Sequence, residues 1–418
     1  MNGDTSSPQR LLLMTANVGS LFEEGQRLQE SWLDVISERI LSEDADLSVI
    51  HMQETGGKRY VECSGQVPIL IQKLAERIAC SYPVCRAFLD LNYTSPAYTA
   101  LGSIFFVHKD ALNDVEQFDF VRKQFVSLSP NCVEIRSEGL ENESLAVKRK
   151  FPKHFWPAIK WGRKGYLHTR WTVHGKVLDL INVHLFHDES NLALIHENPS
   201  LYSSNRKRAL DYVINQCVLD NDDDSRINRF IFGDLNFRLD SRTFLNKLTE
   251  QAEPHPMEDL SQHGSQDLLK DGGISTLRSD LNNASDLRRT VSAIEFRRED
   301  GEANENCVLR IERKRFDYFN HVKLLADWGS YLEDDKEVNN FPELYEMPIT
   351  FPPTYPWSED PLDSGVFMKT RAPAWCDRVL MNKTAYESQE MHTSIYESIG
   401  RQTCMGDHKP VLLAVTLL

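Results

Sequence analysis

Seven short apolar runs rich in β-forming residues punctuate this chain of 418 residues: Leu11–Val18, Leu47–Met52, Leu101–Val107, Val177–Leu185, Phe230–Phe232, Val379–Met381 and Val411–Val415. Runs of this length and composition read as buried strands. Between several of them the apolar period lengthens. Leu28, Trp32, Val35, Ile36 and Ile40 share one helical face, as do Ile71, Leu74 and Ile78, and again Leu210, Val213, Ile214 and Cys217. Ser203 or Ser204 would cap the third helix. Strands and helices alternate loosely, and strands gather at both ends of the chain. No repeat is visible and no Pro/Gly/Ser linker divides it. One α/β domain with two packed sheets, covering residues 8–418, therefore fits better than tandem domains. The stretch 251–307 has few apolar residues and carries Asp271–Gly272–Gly273 and Asn282–Asn283, so it reads as a surface insertion outside the core. The acidic run Asp220–Asn221–Asp222–Asp223–Asp224 lacks the Gly and distal Glu of an EF-hand calcium loop and reads as a solvated loop.

The charge balance narrows the function classes. With 47 Lys+Arg against 62 Asp+Glu the net charge is −15, which argues against a broad nucleic-acid-binding surface but leaves room for a local basic pocket. Eight cysteines form no C-x-x-C pair and no Cys/His zinc spacing. Reduced thiols in an intracellular compartment are the simplest expectation. Met1 to Arg10 lacks the basic and apolar regions of a signal peptide, the residue after Met1 is Asn2, and Ala414–Leu418 carries no prenylation box.

Five strand ends carry side chains suited to metal, acid or base chemistry. Asn17 ends one, Glu54 follows another, Asn182 and His184 share a face near the end of a third, and Asp234 and Asn236 follow the apolar run that reaches Gly233. Asp407 and His408 immediately precede the last strand. Gly233 is expected to let the backbone turn so that Asp234 and Asn236 both face a cleft. Asp and Asn dominate ordinary turns, so any one of these ends is weak evidence. Five together resist an explanation by packing. They suit phosphoester hydrolysis. Glu54, with Asn17 and Asp407 near, offers hard oxygen ligands for Mg²⁺. Asp234 can take a proton from an attacking water, and activity should then rise with pH as Asp234 deprotonates. His184 and His408 can hold phosphoryl oxygens as charge builds up, and Asp377 would orient His408 from behind.

Phe232–Gly233–Asp234–Leu235–Asn236–Phe237–Arg238 and Arg371–Ala372–Pro373–Ala374–Trp375–Cys376–Asp377–Arg378 resemble the two signature motifs of the inositol polyphosphate 5-phosphatases. That family lies within the exonuclease–endonuclease–phosphatase superfamily. Thr15–Phe22, Asn182–Asp188, Phe351–Pro356 and Cys404–Pro410 resemble the type I enzymes, and the resemblance runs from Leu11 to Leu418, weakest in the insertion. It implies a deoxyribonuclease-like four-layer α/β/β/α sandwich, two mixed sheets flanked by helices. It implies Mg²⁺ at Glu54 aided by Asn17, Asp234 as general base, Asn236 orienting the reacting phosphate, His184 and His408 on the phosphoryl group, and Asp377 behind His408. The implied reaction removes the 5-phosphate from soluble inositol polyphosphates, inositol 1,4,5-trisphosphate and inositol 1,3,4,5-tetrakisphosphate, and so ends calcium-mobilising signals. Type I enzymes usually end in a prenylated Cys box; this chain stops just after its last strand, so either a tail was removed or this form is not anchored. The expected location is the cytoplasm, or the plasma membrane through such a tail.

A basic island between Lys148 and Arg170 holds eight cations and no Asp or Glu. Its Lys148–Lys153 end reads as a solvated loop. Lys164 lies between Gly162 and Gly165, where the backbone allows close approach. Lys164, Arg238, Lys369 and Arg371 suit the phosphate next to the one cleaved, and Lys369 and Arg371 would share one face if extended. Arg378 reads as a buried structural partner. The alternatives are a phosphoinositide lipid 5-phosphatase, which needs an apolar or basic rim, and a Mg²⁺ nuclease on the same fold, which the net charge disfavours.

Overall fold

All seven apolar runs are strands, and the strands containing them are buried along almost their whole length. The computed structural model describes residues 8–23, 26–155, 162–195, 200–219, 227–258, 291–299 and 306–418. One sheet has seven strands in the order Ile395–Ser398, Val411–Leu417, Gln9–Asn17, Leu47–Gln53, Gly102–Val107, Val84–Leu89, Val133–Arg136. The second runs Tyr345–Glu346, Asp377–Met381, Asn228–Asp234, Lys176–His184, Gly165–Val173, Val115–Asp119, Gln124–Ser127, with Val147–Lys150 also paired to Gly165–Val173. Both mix parallel and antiparallel pairs.

Each central strand is apolar on both faces because both faces are covered. Leu11, Leu13 and Val49 of the first sheet pack with Trp171, Leu180, Phe230 and Phe232 of the second. Their neighbours Leu12, Met14 and Ile50 face the other way, onto Trp32, Ile36 and Ile40 of helix Gln26–Glu43 and Leu70, Leu74 and Ile78 of helix Gln66–Ile78. Ile181, Val183 and Ile231 likewise cover Ala209, Leu210 and Val213 of helix Ser200–Leu219. The layers are therefore α/β/β/α, as the family resemblance implies. Each fully buried large apolar side chain contributes about 1.5–3 kcal/mol, which is what holds the strand ends rigidly in place.

Several local expectations are corrected. Helix Ser200–Leu219 starts three residues before the expected Ser203 cap. Within 251–307, Ala252–Glu258 and Val291–Arg298 are strands of a third, four-stranded sheet, and Ile294 and Phe296 join the main core. Strand Val291–Arg298 thus packs on the core through Ile294 and Phe296, whereas Ala252–Glu258 is a largely exposed edge strand. Residues 259–290, and the acidic run 220–224, lie outside the described residues. Lys148 is not in a solvated loop: its ammonium is buried against Asp90 at 2.9 Å and Glu141 at 3.0 Å. Asn182, on the same face as His184, points between the sheets and donates to the carbonyls of Met52 and Gly102. His51 stacks on Phe232 in the core, where burial pushes it down to about 3 and so keeps it neutral. No two of the eight cysteines are joined in a disulfide.

Candidate active site

Strand register brings the polar ends together. Asn17 is level with Gln53, next to Glu54, in one sheet. In the other, His184, Asp234 and Asp377 are level across three neighbouring strands. Beyond these ends the backbone bends sharply. Glu54 and Asn236 both take left-handed φ, 56° and 52°, a conformation that non-glycine residues adopt at some cost and that re-aims their side chains. Gly233 has a different role from the expected turn. It lies inside its strand, and a Cβ there would fall 1.9 Å from the Val183 carbonyl oxygen, so only glycine permits this strand pairing.

Asp234 is the hub. Its Oδ1 accepts from the Asn236 backbone N–H at 3.0 Å. Its Oδ2 accepts from the Asn17 amide at 3.0 Å and lies 3.2 Å from His184 Nε2. Burial alone would raise its pKa, but His408, His184 and Lys164 hold it well below the usual carboxylate range. Asp234 is thus ionised throughout the neutral range, and the expected rise in activity with its deprotonation falls below that range. Asn236 is fixed by donating to the Leu185 carbonyl, and its Oδ1 accepts from Arg238 at 2.9 Å. His184 Nε2 also meets the buried Lys164 ammonium. Burial first, then Lys164, pushes His184 down, so its imidazole is neutral. Burial pulls Lys164 down to about 8.

His408 has the opposite environment. Burial opposes its charge, but Asp377 and Asp234 outweigh it and raise His408 to about 10, so it is protonated at neutral pH. Its Nδ1 donates to Asp377 Oδ2 at 2.8 Å, and the same oxygen accepts from Thr354 Oγ1 at 2.7 Å. Tyr355 tilts over the His408 ring, with centroids 4.6 Å apart, and the Arg238 guanidinium lies over Tyr355.

Asn17, Glu54, Lys164, Asp234, Asn236, Arg238, Arg371, Asp407 and His408 line one cavity of about 180 Å³. His184 touches three of these side chains from the cavity wall. Asp377 stands behind His408. Lys369 is the exception. It sits in a turn, half-exposed, and pairs with Asp317 at 2.8 Å, so it does not share a face with Arg371. Arg378 is buried and bound to Asp335 and Glu346. The cavity also takes in Lys58, His187, Asp188 and Tyr355, which sequence spacing did not single out as site residues. Tyr355 falls within the quoted Phe351–Pro356 stretch; Lys58 carries no spacing signal.

A hard divalent cation fits beside Glu54. Burial would raise its pKa, but Lys164, His184 and Arg163 hold the carboxylate at about 2. His184 and Arg163 stand 3.7 and 3.6 Å from it, beyond hydrogen-bond length, which leaves oxygen lone pairs turned to the cavity. A Cβ on Gly19 would lie 3.0 Å from Glu54 Oε2 and 3.3 Å from Asn17 Oδ1, so glycine keeps the space by those two oxygens clear. Burial, with Glu359 and Glu54 adding to it, pushes Asp407 up to about 6, the state of a carboxylate short of positive charge. Ligand-type atoms of Asp234, Asp377 and His408 also lie within 4.8 Å of one another. His408 is protonated there and its Nδ1 is committed to Asp377, so that trio suits proton handling rather than metal binding.

A fold of two packed sheets with this cavity at their strand ends defines a phosphoesterase of the endonuclease–exonuclease–phosphatase class. Residues 304–414 match the Endonuclease/Exonuclease/phosphatase family 2. A Caenorhabditis elegans protein named "Probable type I inositol 1,4,5-trisphosphate 5-phosphatase" is 54% identical over 97% of this chain and 99% of its own length. Inositol polyphosphate-5-phosphatase A of Rattus norvegicus is 38% identical over 99% of this chain and 95% of its own length; that of Homo sapiens is 37% identical over 100% and 96%. Within that class, the chain belongs to the type I inositol polyphosphate 5-phosphatases.

Proposed function

We propose that this protein hydrolyses the 5-phosphate of soluble inositol polyphosphates, inositol 1,4,5-trisphosphate and inositol 1,3,4,5-tetrakisphosphate, and does so with Mg²⁺. The observation that carries this reading is the charge that lines the cavity. An ionised Asp234 and a protonated His408 line it together with Arg238 and Arg371, and the two arginines also line an adjoining pocket whose lining includes neither Asp234 nor His408. The relatives' names supply the substrate class. Glu54, Asn17 and Asp407 would hold the cation, which supplies positive charge to the reacting phosphate. Asp234 orients the attacking water and accepts its proton; an incoming phosphate dianion raises its proton affinity from the depressed resting value. His408, held by Asp377, gives a charged donor to a phosphoryl oxygen. Asn236 and His184 place neutral polar groups on the same phosphate. Arg238 and Arg371 take the neighbouring phosphate and set the ring's register. Lys164 adds a buried cation beside Glu54 and His184. Nucleic acid is not a substrate in this reading, and we assign the enzyme to the cytoplasm; peripheral membrane association would need the lipidated tail that the type I resemblance implies and this sequence does not carry.

Asp234→Asn tests the assignment. The amide keeps the shape but cannot accept a proton. Turnover should fall about 10²–10⁴-fold while substrate affinity changes much less. Lost binding with intact single-turnover chemistry would make Asp234 a binding residue and sink the mechanism.

A further inference from the structure

Helix Ser200–Leu219 sends one arginine under the floor of the cavity. The side chain of Arg206 is 2% exposed, and every described partner is an oxygen acceptor. Its Nε and Nη2 both meet the Glu337 carboxylate, at 2.8 and 2.5 Å. Its Nη1 meets Asp188 Oδ1 at 2.5 Å and the Phe186 carbonyl at 3.2 Å. Glu337 Oε1 in turn accepts from the Arg238 backbone N–H at 3.2 Å. One buried guanidinium therefore ties the loop after His184 to the loop after Asn236, the two segments that carry Asp188 and Arg238.

Asp188 lines the same cavity as Arg238 and Arg371. The described hydrogen-bond partners of those two arginine side chains are uncharged oxygens: the Asn236 amide for Arg238, and the Asn191 amide and Arg313 carbonyl for Arg371. Two cations thus stand beside one carboxylate, and that carboxylate is already taken. A guanidinium bound bidentately on one side and to Asp188 on the other is a strong, geometrically fixed partner. Besides Arg206, the cations that act on Asp188 are those two arginines.

We propose that Arg206 is a positioning residue that sets phosphate specificity: it holds Asp188 away from Arg238 and Arg371, so that both remain free to bind the phosphate next to the scissile one. The proposal rests on the reading that Arg238 and Arg371 take that phosphate. Arg206 touches no substrate. It acts by neutralising a competitor for the substrate's place.

The test uses the full chain, with inositol 1,4,5-trisphosphate and inositol 1,5-bisphosphate as substrates. Arg206→Met should raise KM for the trisphosphate about tenfold or more, the worth of one charge-assisted bond, with kcat much less affected and the bisphosphate KM little changed. Adding Asp188→Asn should restore the trisphosphate KM to within about threefold of the parent, because the competing charge is gone. A purely structural Arg206 would lower kcat and stability on both substrates, and the second substitution would rescue nothing; that result overturns the proposal. If Arg206→Met does not fold, Asp188→Asn alone decides. It should leave KM for both substrates within about threefold of the parent, because Arg206 already holds that charge; a raised KM on both would make Asp188 a substrate contact, and a trisphosphate KM lowered about tenfold would show Asp188 competing in spite of Arg206, and either result refutes the idea. Arg371→Ala separates the two levels. Equal effects on both substrates remove the phosphate subsite and the proposal with it. A selective effect, combined with no rescue by Asp188→Asn, removes the proposal and leaves the subsite standing.

Discussion

Replacing Thr354 by valine should damage this enzyme more than its distance from the substrate cavity suggests. Thr354 is fully buried. Its hydroxyl donates to Asp377 Oδ2 at 2.7 Å and accepts from the backbone N–H groups of Cys376 and Asp377 at 3.1 and 3.2 Å. Asp377 Oδ1 has no hydrogen-bond partner among the described residues, so Oδ2, shared with His408, carries all the bonding of this carboxylate. Valine keeps the shape and loses the hydroxyl. One bond to a charged group, worth about 1.5–3 kcal/mol, disappears, and two buried amide donors are orphaned at about 1–3 kcal/mol each. Because all three share one oxygen, the losses overlap, and a net destabilisation of about 3–6 kcal/mol is expected. Burial already raises the proton affinity of Asp377, and losing a donor raises it further, which loosens its hold on His408. Turnover should therefore fall as well. Urea unfolding gives the first quantity and steady-state phosphate release the second. Thr354→Ser, which keeps the hydroxyl, should recover turnover and lose only about 1 kcal/mol for the methyl group. A valine variant within about 1 kcal/mol of the parent, with parental turnover, would refute the reasoning.

Two further outcomes follow from the same site. Glu54→Gln should raise the Mg²⁺ concentration needed for half-maximal activity by about tenfold or more, since one anionic ligand becomes a neutral amide; full activity at low Mg²⁺ would remove Glu54 from the metal site. His408 has a raised pKa, so its charge is present at neutral pH and is lost as pH climbs through about 10. Turnover should decline on that alkaline limb, and Asp377→Asn should move the decline to lower pH by removing the leading carboxylate; an unmoved limb would assign it to another group.

The sequence made the strand ends legible because their cause is local. An apolar run that stops at Asn17, Glu54 or Asp234 announces both the strand and the polar group at its tip, and the alternation of layers follows from runs apolar on both faces. What depends on distant partners was illegible. Asn182 shares a face with His184, yet the other sheet supplies the carbonyls that claim it. Lys148 looks like one more surface cation until Asp90 and Glu141 come beside it. The pairing of Lys369 with Arg371 assumed an extended chain, and a turn sends Lys369 to Asp317 instead. Strand Val291–Arg298 sits in a polar stretch, and its inward residues are too few to announce it. Arg206 had no signal at all, because a single arginine on a helix is ordinary until two carboxylates from other loops close on it.

The reading is tested most directly by phosphate release by the purified chain from inositol 1,4,5-trisphosphate and from phosphatidylinositol 4,5-bisphosphate in mixed micelles, and by strand cleavage of single-stranded DNA, each with and without Mg²⁺. The proposed function predicts Mg²⁺-dependent release from the soluble trisphosphate, with inositol 1,4-bisphosphate as product, weak release from the lipid and no cleavage of DNA. Faster turnover of the lipid, release that persists without Mg²⁺, or a product that keeps its 5-phosphate would contradict it.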